Sequence, residues 1–284
     1  MSLENKFPHA AAAVFLLMVG CNNNTEAIAL EIPEKKQLIS FVYEDEFSPE
    51  EKVKLEEWIN VTSTTAQKVL GEYPFDISYH FHRSENSETP CSFGHTARTD
   101  STHAAHFYVD PTYSLKALKA DWVAPHEISH LALPRLPKSN LWFYEGFATY
   151  MSRQVMIETG IYTPAQVDSI NHARISAVTD RFETTAFLPA VADSLIANHY
   201  YPSVYWIGAS FFDQADQRLK AAAKIPLVDI LKEFQSCCHV PKMTIGQVVA
   251  DWDKISESNI LSELFTYYTT TPCNQLLVSY KTDQ

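Results

Sequence analysis

The chain has 284 residues, of which 46% are hydrophobic, enough to bury a core within one large domain or two small ones. Its 34 acidic and 22 basic residues give a net charge of −12, which argues against nucleic acid as a partner because phosphates require a basic surface. Charged residues make up 20% of the chain and no low-complexity tract occurs, so the composition argues against wholesale disorder.

Residues 1–20 are predicted to be a signal peptide. Lys6 precedes an apolar run at 10–19 that is too short to span a bilayer permanently and is typical of a signal-peptide core. Met18-Val19-Gly20-Cys21 resembles a bacterial lipobox, with Met in place of the usual Leu. This resemblance implies that Cys21 is acylated and becomes the first mature residue. The alternative is an ordinary signal peptide with a coincidental cysteine.

A short polar tether is predicted at 21–36, followed by one domain at 37–284, because no internal repeat or convincing linker interrupts that stretch. The lipid anchor implied at Cys21 predicts an exported bacterial lipoprotein that faces the periplasm or the cell exterior. The sequence leaves its oligomeric state open.

Export makes disulfide bonding plausible for the four remaining cysteines. Cys237 and Cys238 are adjacent, and adjacent cysteines rarely bond to each other, so each is expected to pair with Cys91 or Cys273. The sequence does not choose between the connectivities. A metal-binding role for Cys237, Cys238 and His239 is the less favoured alternative.

The predicted strands come first along the chain and the helices follow. Ser48 is a predicted helix cap, with Pro49 at the first helical position and Gly71 as the stop. Such an order is an α+β arrangement, with a small N-terminal mixed sheet and a mostly helical C-terminal part. The predicted elements are strands at 37–43, 75–81 and 104–109, a surface loop at 83–102, and helices at 49–70, 122–133 and 142–159.

The segment His126-Glu127-Ile128-Ser129-His130 has the pattern HExxH. On a helix, residues four apart share one face, so both imidazoles can bind one ion while Glu127 reaches a water on that ion. Short patterns recur by chance, and the alternative is a solvated helix turn. The apolar flanks at 123–124 and 131–133 predict a buried segment instead, in which a metal would compensate the buried polar groups.

A catalytic zinc site needs three protein ligands and one open position. Residues 142–150 read WFYEGFATY, and this segment after HExxH resembles the gluzincin zinc peptidases, in particular the large zinc aminopeptidases and, more distantly, thermolysin. The resemblance implies a thermolysin-like catalytic domain with one Zn2+, held by His126, His130 and Glu145. The sequence lacks the longer HExxHxxGxxH pattern of the metzincins.

A third segment, Val204-Tyr205-Trp206-Ile207-Gly208-Ala209, resembles the V-Y-x-K-G-A segment of the same aminopeptidases, with Ile207 in place of Lys. The resemblance implies that the Tyr205 hydroxyl stabilises the oxyanion of the tetrahedral intermediate. Tyr200 and Tyr201 are nearby competitors for this role. The resemblance covers about residues 104–213.

Two departures from the aminopeptidases concern specificity. Only 14 residues separate His130 from Glu145, and no G-x-M-E-N segment, which recognises the free amino end of a substrate in that family, occurs in the chain. Endopeptidase activity is therefore favoured over aminopeptidase activity. The strand at 104–109 is predicted to be the sheet edge on which an extended substrate lies.

The sequence thus predicts a zinc peptidase of peptides or proteins, with Glu127 as general base. Asp121 and Thr149 are predicted to orient the ligands. The alternative function is a lipid-anchored binding or assembly module on the same scaffold, with a structural zinc. The remaining histidines are interpreted as surface or satisfied core residues, among them His80, His82, His103, His106 and His199.

Overall fold

The computed structural model describes residues 37–99, 102–137 and 140–281. The predicted signal peptide, the tether and Cys21 lie outside the described residues. These described residues form one compact unit. No helix of the described part is long and apolar enough to cross a bilayer.

The architecture is α+β, as predicted, and its sheet has four strands in the order β1-β2-β4-β3. Strands β1, β2 and β4 run parallel, whereas β3 pairs antiparallel with β4, so the sheet is mixed. The strands are β1 (Ile39–Tyr43), β2 (Ile77–Arg83), β3 (Cys91–Arg98) and β4 (His103–Val109).

Two sequence predictions about this sheet are wrong. The stretch 83–102, predicted to be a surface loop, contains strand β3, and the predicted edge strand β4 lies between β2 and β3. Strand β3 has little alternation of apolar and polar residues, so its sequence does not predict a strand. It is stabilised instead by backbone hydrogen bonds to β4. The edge near the candidate site is therefore β3.

Ten α-helices account for most of the described chain. The HExxH segment lies on α3 and Glu145 lies on α4, close to the predicted bounds. The helices are α1 (Pro49–Leu70), α2 (Leu115–Ala120), α3 (Val123–His130), α4 (Leu141–Glu158), α5 (Pro164–Ser176), α6 (Leu188–Ala197), α7 (Tyr201–Ala222), α8 (Leu227–Cys237), α9 (Ile245–Ser256) and α10 (Ile260–Thr270).

Helix α1 begins and ends where its sequence predicts. The Ser48 hydroxyl accepts from the Glu51 backbone N–H, and the Glu51 carboxylate accepts from the Ser48 backbone N–H, which completes a capping box. The helix packs one face of the sheet, where the Trp58 and Phe107 ring centroids are 5.6 Å apart. Helix α1 therefore covers the face of the sheet on which Phe107 lies, and not the opposite face.

Helices α4 and α7 approach each other through two glycines, Gly146 and Gly208. A Cβ placed on Gly146 would lie 2.2 Å from the Gly208 carbonyl carbon, and a Cβ on Gly208 would lie 1.9 Å from the Trp142 carbonyl oxygen. Both helices therefore need a residue without a side chain at this contact. Glu145 directly precedes Gly146, and Tyr205 lies three residues before Gly208, so the contact sets the spacing of the two helices beside the candidate site.

The cysteine prediction is wrong. Cys237 and Cys238 are bonded to each other, and Cys91 and Cys273 are buried with free thiols. Cys91 lies at the start of β3 and Cys273 follows α10, and each is 1% exposed.

We expect Gly208→Ala to lower the free energy of unfolding by about 1–3 kcal/mol or more, because the new methyl group must displace the backbone of α4. Urea denaturation measures the change. Gly246→Ala is the matched control, because its Cβ would meet nothing closer than 4.0 Å, and it should change stability by less than about 1 kcal/mol. Equal effects of the two substitutions would contradict this account of the helix contact.

Candidate metal centre

His126 and His130 lie one turn apart on α3 and are 3% and 2% exposed. Their ring centroids are 4.8 Å apart and their planes are nearly perpendicular, at 87°. Trp122 packs an edge against His126 at 5.0 Å, and Tyr144 stacks on His130 at 3.9 Å. Both imidazoles are therefore fixed by aromatic neighbours, with their Nε2 atoms directed to the same point.

Glu145 on α4 brings its carboxylate to that point. Its Oε2 atom lies 3.2 Å from His126 Nε2 and 3.5 Å from His130 Nε2. Two ligands that each bind a tetrahedral Zn2+ at about 2.0–2.1 Å are about 3.4 Å apart, so the observed separations fit one ion. Of the described residues, these three form the one group of three whose ligand atoms converge within 4.8 Å.

The protonation states of the group also suit a divalent cation. Burial lowers the pKa of His130 to about 4. Burial by itself would raise the pKa of Glu145, but the adjacent His130 and His126 imidazoles hold it well below its usual range. At neutral pH the His130 imidazole is therefore neutral and the Glu145 carboxylate is ionised, which are the forms that bind metal.

Glu127 lies beside this group without belonging to it. Burial, opposed by His126 and reinforced by Glu145, raises the pKa of Glu127 to about 7. Strand β3 runs directly over this carboxylate, since a Cβ on Gly94 would lie 2.6 Å from Glu127 Cγ. A carboxylate whose pKa lies near neutrality can accept and return a proton.

Tyr205 on α7 lies beside His126. Its ring centroid lies 5.7 Å from that of His126. Burial and the nearby carboxylates of Glu145 and Glu127 raise its pKa well above the usual range, so the hydroxyl keeps its proton and can donate it. Tyr200 and Tyr201 are 45% and 41% exposed.

Two groups that surround His130 were not recognised in the sequence. The Arg98 guanidinium donates to the Leu133 carbonyl at 2.5 Å and to the Tyr144 hydroxyl at 3.0 Å. Tyr144 in turn stacks on His130, so Arg98 stabilises the position of that ligand from strand β3. The sequence did not indicate a role for Arg98, because residues 83–102 were predicted to be a surface loop.

The residues predicted to orient the ligands do not do so by hydrogen bonding. Asp121 accepts instead from the backbone N–H groups of Val123, at 2.8 Å, and Cys91, at 3.4 Å, which ties the start of α3 to β3. The buried Thr149 hydroxyl has no hydrogen-bond partner among the described residues, and the same is true of Nδ1 of His126 and His130. The orientation of the two rings therefore depends on packing.

Comparison of the sequence with models of known protein families, and with curated proteins, found no match. The chemistry of this centre therefore follows from the geometry of its own residues.

We expect the purified protein to bind one Zn2+ per chain, and the variant His126→Ala/His130→Ala to bind none at this centre, because two of three ligands are removed. Elemental analysis after gel filtration measures the stoichiometry. His199→Ala/His172→Ala, which removes two exposed histidines, is the control and should keep its zinc. Equal zinc content in the two double variants would exclude the centre.

Proposed function

We propose that this chain is a zinc-dependent peptidase with a thermolysin-like, gluzincin-type catalytic domain. His126, His130 and Glu145 would hold the ion, and Glu127 would be the general base. The proposal rests on the convergence of His126 Nε2, His130 Nε2 and Glu145 Oε2 at separations that fit one ion. Beside them lies a fourth buried group, the Glu127 carboxyl, with a pKa of about 7.

Zinc in such a site supplies Lewis acidity, which polarises a substrate carbonyl and lowers the pKa of water. Glu127 takes the proton of the attacking water and later delivers it to the amine that leaves when the peptide bond breaks. Its position under Gly94 keeps the carboxylate side chain in one place, since the strand backbone limits the space above it.

Tyr205 is the candidate donor to the oxyanion. Its raised pKa keeps the hydroxyl protonated at neutral pH, and its place beside His126 puts it at the rim of the metal centre. Removing one such donor in comparable enzymes costs about 10²–10³ in rate.

Strand β3 is the candidate surface for an extended peptide. It is the edge of the sheet next to α3, and the side of Gly94 faces Glu127. An edge strand has unpaired backbone N–H and C=O groups, which can bind a substrate strand without reading its side chains. This assignment replaces β4, which lies inside the sheet.

We expect Glu127→Gln to keep its zinc and to lose peptide hydrolysis by about 10²–10⁴, because the amide has the same shape but cannot take a proton. Turnover of a casein or peptide-library substrate and zinc content are measured on the same samples. Glu72→Gln, an exposed carboxylate on the surface, is the control and should match the unsubstituted protein.

Loss of zinc together with activity would mean that Glu127 is a ligand. If the unsubstituted, zinc-loaded protein shows no hydrolysis that a chelator removes, the alternative of a binding or assembly module with a structural zinc is favoured. A structural site needs neither a proton acceptor at Glu127 nor a donor at Tyr205.

We also expect an internal peptide bond to be cut equally well in free and in N-acetylated forms of one peptide. Aminopeptidases need a carboxylate that binds the substrate ammonium. Asp110, at the end of β4, instead accepts from the backbone N–H and the hydroxyl of Thr112, at 2.9 and 2.6 Å. Asp121, directly before α3, accepts from the backbone N–H of Val123 at 2.8 Å. Mass spectrometry of the products measures the ratio, and loss of cleavage on acetylation would show that the ammonium is recognised.

A further inference from the structure

Arg153 on α4 has a positive charge that lies largely inside the protein. Its Nε atom is buried and has no hydrogen-bond partner among the described residues, and its Nη1 atom reaches the sulfur of Met156 at 3.6 Å. Burial lowers the pKa of Arg153, the phenol of Tyr162 opposes this effect, and the positive charge of Arg174 adds to it. A charged group removed from water normally needs an anionic partner.

Aromatic rings surround the Arg153 guanidinium, and no carboxylate in the part of the chain that the structure describes pairs with it. Its Cζ atom lies 5.7 Å from the ring centroid of Tyr162 and 6.0 Å from that of Trp206. Arg83, by contrast, pairs with the carboxylate of Glu51 at 2.6 Å. Neither a ring nor a thioether is a strong acceptor, so the five N–H donors of Arg153 are largely unused.

Arg153 belongs to a row of polar side chains that begins at the metal ligand Glu145. Residues four apart are neighbours on a helix surface, and Glu145, Thr149 and Arg153 follow this spacing along α4. Thr149 is 4% exposed, and its hydroxyl has no hydrogen-bond partner among the described residues. Two polar groups without strong partners therefore follow the candidate ligand along one side of the helix.

Helix α7 borders this row at the candidate oxyanion donor. Trp206, which contacts Arg153, directly follows Tyr205, and the Tyr205 ring lies 5.7 Å from that of His126. Eight residues of α-helix separate Arg153 from Glu145, which is about 12 Å along the axis. An extended peptide advances about 3.3 Å per residue. A substrate group bound by Arg153 therefore lies within about four residues of a peptide bond at the metal centre.

We propose that Arg153 binds a carboxylate of the peptide substrate, either its C-terminal carboxylate or an Asp or Glu side chain, within about four residues of the bond that is cut. This inference rests on the proposed peptidase function and names the class of peptide. The planar guanidinium can donate two parallel hydrogen bonds to one carboxylate. The substrate thereby supplies the anion that the surroundings of Arg153 lack.

The test compares N-acetylated peptides that differ in one carboxylate. One pair ends in a free carboxylate or in an amide, and the other pairs have Glu or Gln at one of four positions on either side of the bond cut. We expect the charged member of at least one pair to have a kcat/KM about 10–100-fold higher, the usual effect of hydrogen bonds to a charged group. The pair that shows this preference distinguishes a C-terminal carboxylate from a side chain.

Arg153→Met keeps the aliphatic part of the side chain and removes the charge, so it should reduce the preference to less than about threefold. Arg153→Lys keeps the charge but loses the planar fork and should retain part of the preference. Arg218→Gln, which removes an exposed arginine from α7, is the control and should keep the full preference. Circular dichroism checks the fold of each variant.

Binding of the same peptides to zinc-loaded Glu127→Gln, measured by isothermal titration calorimetry, separates this proposal from the proposed catalysis. If the unsubstituted protein cuts no peptide but the charged peptides bind more tightly, the peptidase function fails and the carboxylate site stands. Equal kcat/KM and equal affinity for the charged and uncharged members of every pair would overturn the proposal. A preference that survives Arg153→Met in a folded protein would also overturn it, because the charge of Arg153 would then have only a packing role.

Discussion

The close contact of α4 and α7 at Gly146 and Gly208 determines where the chemically important side chains lie. The residue before Gly146 is Glu145, and Tyr205 precedes Gly208 by almost one helical turn. Because neither glycine tolerates a side chain at this contact, the separation of the two helices has little freedom. The distance between the candidate ligand Glu145 and the candidate oxyanion donor Tyr205 therefore depends on both glycines.

Burial is the second constraint on the site. His126, Glu127 and His130 are all less than 9% exposed, and polar groups removed from water need partners. Glu145 supplies one negative charge to the two imidazoles, but Nδ1 of each ring has no hydrogen-bond partner among the described residues. An ion at the shared point would bind the three converging atoms at once. Aromatic packing by Tyr144 and Trp122 keeps the rings in the required orientation.

The sheet gives each of its faces a different chemistry. Gly94 admits Glu127 close to strand β3 on the side of α3, and the absence of a side chain there makes room for the carboxylate. One residue further, His95 lies on the other side, where its ring stacks on that of His106 at 4.6 Å. Strand alternation thus lets one short edge strand border the candidate catalytic centre on one face of the sheet and a group of histidines on the other.

The sequence by itself determined the elements that depend on interactions between residues close together in the chain. The cap at Ser48 with Pro49 and the helical pattern at 122–133 predicted helices that the structure contains, because helix hydrogen bonds and caps form within a few residues. The tertiary structure decided strand β3, the support of His130 by Arg98, and the grouping of four histidines on one face of the sheet, namely His80, His82, His95 and His106. These features join residues far apart in the chain, and their partners are brought together by strand pairing and helix packing, which no local pattern encodes.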